Sequence, residues 1–160
     1  MEAIMPAISK VSIRRARRDD VKAIVAMLAD DALGRARERL EDPLPACYLR
    51  AFDRLDADAN IQLVVAEDEG GAVIGCLQLC ILPGLSSQGA SRGLIEDVRV
   101  ASHCRSRGIG EQLVQWAVGE ARAKNCKLVE LLTHHTRVDA QRFYERLGFQ
   151  RSHVGMTMRF

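Results

Sequence analysis

The stretch His103–Lys124, "HCRSRGIGEQLVQWAVGEARAK", changes character half-way along. Its second part is periodic: Ile109, Leu113, Trp116, Ala117 and Ala121 fall on one face of a helix. Its first part sets Arg105, Ser106, Arg107, Gly108 and Gly110 at the mouth of that helix. The first N–H groups of a helix have no partner within it, and its dipole is positive at that end. Gly108 and Gly110 carry no Cβ to hold an anion away from the backbone, and two arginines add fixed charge. These features favour a phosphate or diphosphate. A tight strand-to-helix turn with solvated arginines is the other reading, and the stretch alone leaves both open. Neither GxGxxG nor a phosphate loop ending in Gly-Lys-Ser/Thr is present.

The neighbouring segments alternate in type. Upstream, "RGLIEDVRV" (Arg92 to Val100) reads as a strand; downstream, "KLVELLT" (Lys127 to Thr133) reads as another. "IQLVVAED" and "AVIGCLQLCIL" are β-rich runs parted by "EGG", the mark of a hairpin. Nearer the N-terminus, Val11 to Arg17 predicts a short strand. Asp19 or Asp20 then caps a helix with Val21, Ile24, Val25 and Leu28 on its buried face, and Gly34 ends it. A second helix follows Pro43 towards Ala59. Beyond Thr133, Thr136 and Asp139 are spaced as a capping box for a helix with Ala140, Phe143, Tyr144 and Leu147 on one face. Gly148 caps its end, and a last strand runs from Phe149 towards Phe160. The order β, α, α, β, β, β, α, β, α, β predicts an α/β (α+β) fold, with a mixed sheet and helices on both faces.

At 160 residues, 48% of them apolar, the chain is sized for one soluble domain over 1–160. A net charge of +2 gives no global field for nucleic acid, and "RRARR" and "RSRG" lack interleaved aromatics, so nucleic acid is not an expected partner. "MEAIMPAISKVSIRR" matches neither a secretory signal nor a membrane span. Five cysteines without a CxxC pair suit reduced thiols in the cytoplasm.

Arg105, Gly108 and Gly110 fit the pattern Gln/Arg-x-x-Gly-x-Gly/Ala. With "LIEDVRV" upstream and "RFYERLGF" at Arg142 to Phe149, the chain resembles the GNAT superfamily of N-acetyltransferases over nearly its whole length. The resemblance implies a mostly antiparallel sheet in which the parallel strands four and five splay apart. It implies acetyl-coenzyme A as co-substrate, with no metal. The cofactor's pantetheine arm would lie along Val98, Arg99 and Val100. Its diphosphate would sit at Arg105, Ser106, Arg107, Gly108, Ile109, Gly110 and Glu111. A homodimer is common among such proteins.

Acetyl transfer to an amine needs a base, donors for an oxyanion and a proton for the departing thiolate. Glu96, set among Leu94, Ile95, Val98 and Val100, is the expected base, since partial burial raises a carboxyl pKa. Asp97 competes, because a bulge could exchange the faces of the two acids; a plain structural ion pair is the third reading. By the resemblance, Tyr144 is the acid and an N–H near Val98 the oxyanion donor. A binding module that holds an acyl-coenzyme A without transferring it is the alternative. His134 and His135, adjacent in an extended segment, should diverge, which argues against a shared metal; they are read as loop residues, with lining the cleft or meeting the cofactor's phosphate as the other reading, and Thr136 or Arg137 stands where the resemblance puts an asparagine. Cys104 is incidental, Cys76 and Cys80 are core, and His153 is a candidate for the acceptor side. The mixed charges between Asp30 and Asp58 do not choose between small-molecule and peptide amines.

Overall fold

The computed structural model describes residues 11–160; the reading of the N-terminal stretch falls mostly on 1–10, outside them. The elements run β1 (Ser12–Arg15), α1 (Val21–Leu28), α2 (Ala32–Arg35), α3 (Ala46–Ala57), β2 (Ile61–Glu67), β3 (Val73–Leu82), α4 (Ser86–Gly89), β4 (Arg92–Val100), α5 (Ile109–Ala123), β5 (Leu128–Leu131) and α6 (Val138–Arg146). All five strands form one sheet in chain order. The first three pairings are antiparallel and β4–β5 is parallel, reached through the α5 crossover. Among the described residues no helix is long and apolar enough to cross a membrane.

The period-two pattern of β3 divides the core. Leu77 and Leu79 point to one face, where Ile109, Leu113, Val114 and Ala117 of α5 cover them. Cys76 points to the other, under Val21, Ile24 and Val25 of α1 and Phe52 of α3. Each large side chain buried in this way contributes about 1.5–3 kcal/mol. Trp116 lies at the margin of the α5 contact, half-buried. Burial pushes the Cys76 thiol up to about 12, in keeping with a core role, and Cys104 is buried as well.

Several local expectations change. Asp20 does not cap α1: its carboxylate accepts from the Arg17 amide at 2.6 Å and from Arg14 at 2.7 and 3.1 Å. The helix ends at Leu28, well before Gly34, which lies inside α2. There a Cβ would stand 1.8 Å from the Leu28 carbonyl oxygen, so glycine is required by close approach rather than as a helix cap. The second long helix starts after Pro45. Thr136 leaves α6 uncapped and contacts His134 instead, at 2.8 Å. Gly148, at φ 92°, does end that helix, with Phe149 N–H reaching back to the Tyr144 carbonyl at 3.1 Å.

The expected last strand is absent. Val154, Met156, Met158 and Phe160 keep a strand's alternation but are exposed. A strand is defined by its pairing, and among the described residues the four-residue β5 pairs only with β4.

Candidate functional site

The site begins with an irregularity in β4. Glu96 pairs with Gln78 and Arg99 with Cys76, so β4 carries one residue more than β3 over this interval. Asp97 lies there at φ 52°, a left-handed conformation that aspartate tolerates better than most residues, and the strand bulges. On its other side β4 is paired with β5 only as far as Ile95 and Leu131. From Glu96 to Val100 that edge of β4 has no neighbouring strand among the described residues, which leaves an opening between β4 and β5.

The opening is the mouth of a cavity of about 480 Å³. Leu94 to Arg99 form its floor, Leu131 to His134 and Arg137, Ala140 and Tyr144 one side, Ala32, Leu33, Ala36 and Arg37 the other, and Arg159 completes it. Asp31 fixes the α2 wall. One carboxylate oxygen caps α2 by accepting the Gly34 amide at 2.6 Å, and the other accepts from Arg137 at 2.6 Å. Burial acts most strongly on Asp31 and pushes its pKa up; the Gly34 amide and the Arg137 guanidinium outweigh it and hold the carboxyl below its ordinary value.

Glu96 faces the cavity, its carboxylate accepting from Gln78 at 3.2 Å. Partial desolvation raises its pKa, and the charge of Asp97 adds to the rise. Tyr144 lines the same space, its ring held edge-on by Phe143 and Phe149 at centroid distances of 5.1 and 5.8 Å. Burial raises its pKa, partly offset by Arg99 and Arg137, so the phenol holds its proton.

Beyond the cavity, the chain turns into α5. Ser106 and Gly108 both have left-handed angles, φ 61° and 75°, and Gly108 is the N-cap residue. With no side-chain cap, the first helical bond is Gln112 N–H to the Gly108 carbonyl at 3.1 Å. The N–H groups of Ile109, Gly110 and Glu111 have no partners among the described residues. The Ile109 side chain is buried in the core and the Glu111 carboxylate accepts from Gln115, so these two residues offer only their amides to the turn. Arg105 holds the Val100 carbonyl and Asp30, each at 3.3 Å. Arg107 forms no ion pair among the described residues.

Of the residues expected from sequence, Glu96, Val98, Arg99 and Tyr144 therefore line one cavity, while Val100 ends β4 and Arg105 to Glu111 form the turn and the first residues of α5. Asp97 also lines the cavity. His134 and His135 do not diverge: the chain turns there and their rings lie 4.4 Å apart. Sequence reasoning missed Arg37 and Arg159, whose positions carry no local signal, and it read Asp31 only as part of a mixed-charge run.

Residues 22–149 match the profile of the "Acetyltransferase (GNAT) family". The chain belongs to the GNAT family. GNAT proteins are acetyl-CoA-dependent acyltransferases, and this chain is one of them. It is 30% identical, over 98% of its length and 94% of the relative's, to the aminoalkylphosphonate N-acetyltransferase of Salmonella typhimurium. A solved structure from Bacillus halodurans, titled a transcriptional regulator, is 48% identical, with TM-score 0.91 over 94% of this chain and all of that one (100%). The glucosamine-6-phosphate N-acetyltransferase of Arabidopsis thaliana shares the GNAT fold, with TM-score 0.77 at 22% identity over 95% and 99% of the two chains.

Proposed function

We propose that the protein is a single-domain N-acetyltransferase that moves the acetyl group of acetyl-CoA to a primary amine by direct attack in a ternary complex. One observation carries this reading: β4 outruns β5, so that Glu96, the Val98 edge and Tyr144 share one cavity beside the uncapped start of α5.

In this mechanism the amides of residues 107–111, with Arg105 and Arg107, bind the diphosphate, and the free edge near Val98 and Val100 receives the pantetheine arm as an added strand would. Two arginines occupy that edge: Arg99 donates to the Val98 carbonyl at 3.0 Å and Arg105 to that of Val100. The arm would displace them or pair through the amides. Glu96 accepts the ammonium proton, and its raised pKa suits the task. The nitrogen attacks the thioester carbonyl carbon, and the Val98 N–H donates to the resulting oxyanion. Collapse breaks the C–S bond; one of the two protons left on nitrogen passes to solvent and the other stays on the amide. The Tyr144 hydroxyl protonates the thiolate and regains its proton from water.

The named N-acetyltransferase relatives act on amines, which supports an amine acceptor here. The five free cysteines support a reducing, cytoplasmic setting.

The test follows thiol release from acetyl-CoA across a panel of amines, together with the melting temperature of the protein in the cofactor. Transfer predicts both a thermal shift and amine-dependent thiol release. The binding-module alternative predicts the shift alone.

A further inference from the structure

Four arginines line the cavity: Arg37, Arg99, Arg137 and Arg159. They come from four separate parts of the chain, so no single charged helix face accounts for them. Arg137 is neutralised by Asp31 at 2.6 Å. Among the described residues, Arg37, Arg99 and Arg159 form no ion pair. Arg99 spends one donor on the neighbouring Val98 carbonyl, and its buried Nε has no partner. Leaving that buried Arg99 donor unmatched is costly unless an acceptor completes it, and the exposed Arg37 and Arg159 place two further unpaired positive charges on the same concave space.

That anion is not the diphosphate assigned to acetyl-CoA. The Arg105–Glu111 turn lies outside the cavity lining. Within the cavity, charge is arranged in two poles. Glu96 and Arg99 pair with Gln78 and Cys76, which share one face of β3, so both acid and guanidinium belong to the α1–α3 side of the sheet. The two β3 partners are two residues apart, about 7 Å at the rise of a strand. A ligand spanning them has a positive end and a negative end joined by a short spacer.

We infer that the acceptor is a small amine that also carries a phosphate or phosphonate group, its amine directed to Glu96 and its oxyanion held by Arg99 and Arg37, with Arg159 closing over it. This rests on the acetyl-transfer reading of the same cavity. Guanidinium groups from separate elements suit a tetrahedral, doubly charged oxyanion better than a single carboxylate, because they can engage different oxygens.

The test compares 2-aminoethylphosphonate and 2-aminoethyl phosphate with β-alanine and with ethanolamine. Thiol release should favour the phosphorus compounds over ethanolamine by at least about 100-fold in kcat/KM, with β-alanine between. Arg99→Gln and, independently, the exposed Arg37→Gln should shrink that preference about tenfold, chiefly through KM. Equal rates for charged and neutral amines, or an unchanged preference in both variants, would overturn the anion site while leaving transfer intact. Binding is read separately, as the Tm shift produced by 2-aminoethylphosphonate in the presence of coenzyme A. A shift in the wild type that both variants lose, without thiol release from any amine, would sustain the anion site and sink the transfer reading. No shift and no turnover would overturn both.

Discussion

Gly108→Ala is the substitution that isolates the helix start. Gly108 sits at φ 75° and ψ 5°, where an L side chain costs about 1–2 kcal/mol. For a chain of this length that lowers Tm by about 2–8 °C if the turn holds its shape. If the turn relaxes instead, the amides of residues 109–111 leave their common direction. Losing one hydrogen bond to a charged diphosphate costs about 1.5–3 kcal/mol, which is roughly a 10- to 150-fold weaker Kd. Titration calorimetry with acetyl-CoA reads the affinity, and a thermal melt reads the stability. Gly119→Ala provides the control on the same helix. A methyl at that position would meet nothing within 4 Å, so stability should rise by about 0.5–1 kcal/mol with Kd unchanged. A G108A protein whose Tm and acetyl-CoA affinity both equal those of the wild type would refute the assignment of this turn.

Glu96→Gln should lower kcat by about 100- to 10,000-fold. Because desolvation and Asp97 raise the Glu96 pKa, the wild-type rate should fall as pH drops through a value above the ordinary 4.3 or so, and the variant should lack that limb; near wild-type turnover in E96Q would remove Glu96 as base. Asp30→Asn frees Arg105 from a half-exposed ion pair at 3.3 Å, worth about 0–1 kcal/mol, so acetyl-CoA should bind up to about fivefold tighter, and weaker binding would contradict the role given to Arg105. Gly34→Ala drives a methyl into the Leu28 carbonyl and should cost about 3 kcal/mol in urea unfolding, whereas an unchanged midpoint would mean the α2 wall is not packed as described.

What the sequence makes legible is what rests on periodicity over many residues. The span of β4, the buried face of α5 and the hairpin of β2 and β3 follow from strong alternation or helical spacing. Where tertiary contact decides, the pattern misleads. Asp20 has the chemistry of a cap but lies within reach of Arg14, and the guanidinium competes for its oxygens. The segment 149–160 alternates like a strand yet pairs with no strand among the described residues. The bulge at Asp97 is only one option in the sequence, because nothing local distinguishes an aspartate in a left-handed conformation from one in an extended strand. Within the cavity, Glu96 and Tyr144 are legible because each belongs to a recognisable motif. Arg37 and Arg159 are not, because it is the folding of separate segments onto one space that gives them meaning.

A co-crystal structure with acetyl-CoA tests the whole account at once. The result predicted is a diphosphate within hydrogen-bonding distance of the amides between Arg107 and Glu111, with the thioester carbonyl beside the Val98 N–H and its carbon open to an amine at Glu96. A nucleotide bound elsewhere, with those amides facing only water, would contradict it.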